Sequence, residues 1–308
     1  MATQTYPATT ASSSGLGNLI IPAYDRLVTF ALRETPTFRG IVDRRPVNQT
    51  NPGDTVYFTF YADIPTTETP LSETVTPDSS VVANPTRISV TVNEYGTWIP
   101  KTLRLGSTAF TNPDMEIAEL LARQQGDTID NLVRAKMDAS TNILSAGAAG
   151  TAASAALVRK IRNKMRANKV PFKDGANYLA HVHPDVTFDL MSESGTNVWA
   201  SPHTYVDPGA IYAGEVGKYS AIRFIENTRC KTTAASSGVA GTYNTYVIGQ
   251  GAMVEANIVE PHTVIGEVTD PLKRFFPVGW YGFLGWALFR PEGLLKVTSG
   301  SSLTPALP

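Results

Sequence analysis

Two β-rich stretches, Thr55–Tyr61 and Arg87–Asn93, are joined by 25 residues that cannot enter a core. From Ala62 to Thr86 the chain carries Pro65, Pro70, Pro77 and Pro85, many Thr and Ser, and the acids Asp63, Glu68, Glu73 and Asp78, with no basic residue before Arg87. Prolines remove backbone donors, and a segment this polar has too little apolar surface to offset the entropy of ordering it. Connections of that length inside a compact domain are uncommon and belong to functional or disordered segments. The second flanking stretch alternates, with Ile88, Val90 and Val92 on one face, so the segment reads as the tip of a long hairpin projecting from the body.

A long amphipathic helix is expected next. Asn112 is a suitable cap, Pro113 suits the first helical position, and Asp114 and Glu116 lie at the positive end of the dipole. Ile117, Leu120, Leu121, Ile129, Leu132, Val133 and Met137 keep to one side, and the pattern runs to Ser145, which predicts a rod of roughly 48 Å. Gly126 in its middle costs about 1 kcal/mol against Ala and marks a bend or a close contact. Upstream, residues 1–18 form a polar arm, and Pro22–Glu34 reads as a short amphipathic helix.

Downstream the pattern mixes helices and strands. An Ala/Gly linker (Ala146–Ala153) leads to a helix capped by Ser154 and running to Asn168, then a short strand at Asn177–His183 and a short helix opened by Pro184. A Gly-rich stretch ends at Gly217, and a strand follows at Ile222–Asn227. Thr232–Thr242 is small and polar enough to be a mobile loop, and strands are expected at Tyr243–Gly249, Ala252–Val259, His262–Val268, Trp280–Phe289 and Leu294–Val297. The fold class is α+β, rich in strands and turns.

Composition narrows the function. With 26 Lys plus Arg against 27 Asp plus Glu, the net charge of −1 supplies no overall attraction to a polyanion or an acidic membrane. The single cysteine, Cys230, rules out an intramolecular disulfide and any zinc site built on several thiolates, and a reducing compartment is expected. The N-terminus lacks the basic start and apolar run of a signal peptide, and Val278–Phe289 is far short of the ~20 residues that span a bilayer, so a soluble cytosolic product is expected.

Motifs for chemistry are weak. His181 and His183 fall on one face of a strand, half of a metal site, with His203 and His262 as further candidates, yet no carboxylate stands at helical spacing from them. Cys230 lies between Arg229 and Lys231, which would lower the pKa of an exposed thiol, but no Gly-x-Ser-x-Gly elbow or Cys/His constellation accompanies it. Gly209, Gly214 and Gly217, or Gly249 and Gly251, do not make a dinucleotide fingerprint, and no Walker sequence occurs. No catalytic, cofactor-binding or metal residue is therefore assigned. The strongest charge feature is Arg159–Lys173, with seven basic residues and no acid: a phosphate-binding surface, a solvated face or a subunit contact.

The order of polar arm, projecting hairpin, long helix, α/β segment and returning strands resembles the tailed-bacteriophage major capsid proteins of the Hong Kong 97 phage fold. Tyr178-Leu-Ala-His-Val-His-Pro-Asp185, Gly214-Glu-Val-Gly-Lys-Tyr-Ser-Ala-Ile-Arg-Phe-Ile-Glu226 and Val278-Gly-Trp-Tyr-Gly-Phe-Leu-Gly-Trp286 look like stretches of the branch related to the podovirus N-four coat protein. The resemblance implies an N-terminal arm and short helix at 1–35, an extended loop with peripheral-domain strands at 36–111, a spine helix at 112–150, an axial domain at 151–255 and C-terminal strands returning to the peripheral domain at 256–308. It further implies a non-enzymatic major capsid protein that self-assembles as pentamers and hexamers into an icosahedral shell around double-stranded DNA. Its home would be the virion, after assembly in the bacterial cytoplasm, and its partners other copies of itself, a portal protein, a separate scaffolding protein and a cement protein. The founding member's shell is linked through a Lys in the extended loop, whereas here no Lys lies between Met1 and Pro100, so a non-crosslinked shell is expected. The competing readings are a cytosolic α/β enzyme using His181, His183 and Cys230, and a nucleic-acid binder using the basic helix.

Overall fold

The computed structural model describes residues 36–47, 53–61, 63–64, 66–68, 70–76, 79–109, 113–148, 150–193, 215–233, 241–267, 271–272 and 274–303. The polar arm, the expected helix at Pro22–Glu34, His203, Gly209 and most of the Thr232–Thr242 loop lie outside them.

Two sheets meet across one helix. The larger has the order β5 (Ile143–Ser145), β13 (Leu294–Ser299), β10 (Thr242–Ile248), β6 (Tyr178–Val182), β8 (Ile222–Glu226), β7 (Glu215–Tyr219), with the short β9 (Thr232–Thr233) against β10. The smaller has the order β1 (Asp43–Pro46), β11 (Met253–Ile265), β12 (Phe275–Leu288), β4 (Asn93–Thr102). A separate antiparallel pair, β2 (Thr55–Phe60) and β3 (Thr86–Thr91), forms the stem of the expected hairpin, and a short helix, α1 (Leu103–Thr108), follows β4.

Strand alternation distributes the cores. On β6 and β10, Tyr178, Ala180, Val182, Tyr243 and Val247 face α3 (Ala155–Ala167) and α4 (Pro184–Ser192), which cover that side of the larger sheet with Leu157, Val158, Ile161, Met165, Val186 and Leu190. The opposite faces of the same strands turn Tyr246 and Ile248 toward α2 (Pro113–Asp138), whose Ile129, Val133 and Met137 fill the junction with Leu284 and Trp286 of the smaller sheet. Beneath the smaller sheet, Val254, Ala256 and Phe289 pack on Val90 and Val92 of the hairpin stem. Ser154 caps α3 as expected, its side chain accepting from the Leu157 amide.

Three expectations need correction. The long helix stops at Asp138 rather than Ser145, so its 26 residues span about 39 Å. Asp138 is held there: its carboxylate accepts from Asn244 and Tyr246, and its carbonyl from Lys296. Ser140 then bonds back to the Asn142 amide, and Ile143–Ser145 pairs in parallel with Lys296–Thr298, which captures the expected last turn as a strand. Second, Ala252–Val259 and His262–Val268 are one strand, β11, continued through Pro261 by register shifts on either side of Val259.

Third, besides β5 four strands were hidden: β1, β4, β7 and the two-residue β9, which lies where a loop was expected. β4 contains Gly96 and Pro100, which disguised it, but it lies on a sheet edge where proline is tolerated; β7 lies in the Gly-rich stretch. The C-terminal strands are shared between the sheets: β11 and β12 belong to the smaller one, whereas β13 joins β10 in the larger one. The glycine inside α2 marks a close contact, because a Cβ at Gly126 would lie 3.1 Å from Pro36. No helix among the described residues is long and apolar enough to cross a membrane.

Candidate assembly surfaces

The chain leading out of the N-terminal region is fastened at three points. A 3₁₀ turn, Phe38–Ile41, buries Phe38 against His181 and Tyr246, and the Phe38 amide donates to the Asp130 carboxylate of α2 at 2.7 Å. Burial pushes the Asp130 carboxyl upward, offset by that hydrogen bond and by the Arg229 guanidinium nearby. Arg39 then makes a two-point contact with Glu255 of β11, 3.1 and 2.7 Å, and the Trp286 indole donates to the same carboxylate at 2.9 Å. Glu255 is 0% exposed, so these donors replace its water. Finally β1 pairs in parallel with β11, and Asp43 accepts from Lys173 at 2.6 Å. A segment entering the body here is tied to both sheets and to α2.

The hairpin is the opposite case. Its stem packs through Phe58, Phe60, Ile88 and Val90, but between the strands every described side chain from Tyr61 to Asn84 is exposed, Leu71 by 74% and Val81 by 83%. Asp63, Glu68 and Glu73 make no ion pair with any described residue.

A second apolar exposure lies at the far end of the smaller sheet. Trp280 of β12 points to α2 and donates to Gln124 at 2.6 Å, while its neighbour across the pleat, Gly279, lies opposite Trp98, which is 65% exposed. Trp98 stands between two apolar grooves of about 480 Å³ each, sharing Gly266 and Pro277 as floor, with Val264 on one side and Phe275 on the other. Gly279 is required by this packing, because a Cβ would meet the Thr97 carbonyl at 2.6 Å and the Trp98 side chain at 2.8 Å.

The third surface is the outer face of α3. Arg159, Lys160, Arg162 and Arg166 are exposed, with Lys169 just beyond the helix. Arg159 donates to the Tyr219 hydroxyl, Lys164 to the Ile143 carbonyl, and Arg166 lies over the Phe172 ring. Lys160, Arg162 and Lys169 meet no carboxylate among the described residues.

The residues considered for chemistry do not converge. His181 and His183 are not a same-face pair, because β6 ends at Val182 and His183 turns to cap α4, accepting from the Asp185 amide at 3.2 Å. The His181 ring packs on Phe38 and the His183 ring on Tyr243, which face different cores. His181 is 1% exposed, neither ring nitrogen has a hydrogen-bond partner, and burial lowers its pKa to about 4. His262 contacts the Glu260 carbonyl, remote in the fold on β11. Cys230 is buried in the α2 core, where a nucleophile would be out of reach of a substrate. Among the described residues no group of three His, Cys, Asp or Glu side chains is placed to hold a metal. The sequence reading missed the Trp98 surface, and its only written sign is a tryptophan beside Gly96 and Pro100, which interrupt the strand pattern.

A family model described as phage capsid protein matches residues 88–297, from the hairpin stem to the last strand. The chain belongs to the phage capsid protein family. The solved capsid of Ralstonia phage GP4 superposes with a TM-score of 0.76 at 10% identity, covering 98% of this chain and 100% of that one. The Helicobacter pylori bacteriophage KHP30 capsid gives 0.73 at 12% identity, covering 97% and 100%, and the cyanophage Pam1 capsid gives 0.71 at 12%, covering 97% and 99%. No curated protein sequence matches. The fold is thus that of the Hong Kong 97-like phage capsids, although identity with these structures is very low. As a phage capsid protein the chain is a structural, shell-forming component of the virion and not an enzyme, and its working parts are the surfaces just described.

Proposed function

We propose that this capsid protein assembles as pentamers and hexamers into a closed icosahedral head around double-stranded DNA, each hairpin lying over a neighbouring copy. The observation that carries this reading is the hairpin beyond β2 and β3, whose Leu71, Val75, Val81 and Val82 face solvent in the single chain. So many large apolar side chains left exposed on one projecting element point to another surface that covers them. A projecting element that docks on a different patch of the next copy makes a heterologous contact, which closes into rings. Residues 1–35 act as the arm, 36–111 as the extended loop with its strands, the helix within 112–150 as the spine, 151–255 as the axial domain and 256–308 as the C-terminal strands of the peripheral domain. In this assignment β13 is a peripheral-domain segment paired into the axial sheet.

The likeness of the three stretches quoted above supports reading the chain as a member of the branch related to the podovirus N-four coat protein. Assembly would take place in the host cytoplasm with a separate scaffolding protein, a portal protein at one vertex and a cement protein outside, and the near-neutral chain would hold DNA non-specifically. The shell is non-covalent: the hairpin carries no Lys, and Lys101 lies on β4 opposite Phe276. Negative-stain electron microscopy with light scattering, on the full chain alone and with a candidate scaffolding protein, tests the reading. Closed shells are expected, and a monomer or small oligomer under every condition overturns it. Boiling shells in detergent is expected to release single chains near 33.1 kDa and no covalent ladder.

A further inference from the structure

This inference rests on the hairpin being the element laid over a neighbouring copy. The chain is almost neutral, yet it separates its charges: between Ala62 and Thr86 there are only acids, and from Arg159 to Lys173 only bases. Within one chain Lys173 of the basic run pairs with Asp43, whereas Glu68 and Glu73 meet no described cation and Lys160 and Arg162 meet no described carboxylate. These four charges, which find no described partner of opposite sign in their own subunit, are free to meet between subunits or to take a third species. The apolar exposures match as well. Leu71 and Val75 flank Glu73 on the hairpin, and beside α3 the outer face of α4 exposes Phe188 and Met191. Reach permits the contact: about twelve residues along each arm of the hairpin extend up to roughly 40 Å from the stem, twice the roughly 20 Å length of the 13-residue α3.

We infer that the acidic tip of the hairpin docks across the exposed side of α3 of an adjacent copy, with Glu68 and Glu73 meeting Lys160 on one flank of the helix and Arg162 on the other and the apolar side chains covering Phe188 and Met191. Pairs of this kind steer docking and fix register more than they add affinity, and the apolar contacts hold the element once placed. The contact weakens with salt, because the charges are exposed before docking. Asp63 and Lys169 already share the groove at the hairpin base of one chain; they are left out of the test below so that contacts within a subunit do not confuse it.

The test is charge reversal in the full-length protein, with shells counted by electron microscopy and sedimentation and their DNA content measured. Glu68→Lys with Glu73→Lys, and separately Lys160→Glu with Arg162→Glu, are each expected to lower shell yield at least tenfold, while circular dichroism shows an unchanged fold. Co-expressing the two variants is expected to restore shells, since the reversed hairpin of one then meets the reversed helix of the other. Restoration only when all four changes lie in one chain overturns the contact between copies in favour of a hairpin folded on its own helix. Normal shells from Lys160→Glu with Arg162→Glu, but with less DNA, overturn it in favour of α3 as a DNA-facing surface. If the unaltered chain forms no shells at all, the assembly reading itself fails.

Discussion

Glu255 and His181 show two ways of burying a titratable side chain. Glu255 is buried with Arg39 and Trp286 supplying donors in place of water. Arg39→Ala leaves that carboxylate buried and half-satisfied, and we expect a loss of about 3–5 kcal/mol in urea unfolding of the unassembled chain. His181 has no donor or acceptor and survives by staying neutral. Its folded pKa, about 4, lies below its ordinary value of 6.5, so the unfolded chain binds the extra proton first. The contribution of the neutral ring is therefore whole above pH 6.5 and is lost as pH falls toward 4. At 1.36 kcal/mol per unit this amounts to about 3 kcal/mol. His181→Leu should leave stability at pH 7 within about 1.5 kcal/mol and flatten its decline between pH 6.5 and 4, as followed by thermal unfolding. An unchanged pH profile would assign the acid sensitivity elsewhere.

At the level of elements, the smaller sheet is a ribbon whose two sides do different things. Trp280 anchors one side to α2 through Gln124, and Gly279, one position earlier, lets the edge strand β4 close over the other with Trp98 outward. Gly279→Val would drive a branched side chain into the Thr97 carbonyl, so we expect β4 to separate from β12 at a cost of about 1–3 kcal/mol. Faster proteolysis within 93–102, with the larger sheet intact, would show this in limited digestion followed by mass spectrometry. The spine helix illustrates how elements set each other's ends. Nothing in the periodicity of Ile129, Leu132, Val133 and Met137 stops it at Asp138; the partners Asn244, Tyr246 and Lys296, more than a hundred residues away, do.

For the whole molecule, stability and assembly are divided between different residues. The cores under α2 and α3 take nothing from the described residues of the hairpin tip. Replacing residues 63–84 by an Asn-Gly turn should therefore preserve the β2–β3 stem and shift unfolding by less than about 1 kcal/mol, yet abolish shells by electron microscopy. Much of this division was legible in the chain itself, where local chemistry suffices. Prolines and acids without apolar payload keep 62–86 outside any core, Ser154 and a regular apolar seam fix α3, and a single cysteine with scattered histidines excludes the familiar catalytic and thiolate-zinc constellations. What only the tertiary structure decided depends on partners distant in sequence. Parallel pairing with β13 turned Ile143–Ser145 from helix to strand, an edge position made Gly96 and Pro100 acceptable in β4, and the end of β6 at Val182 sent His181 and His183 into different cores. Periodicity reports which face of an element is apolar, but where an element stops and what it faces are set by the surface it packs against.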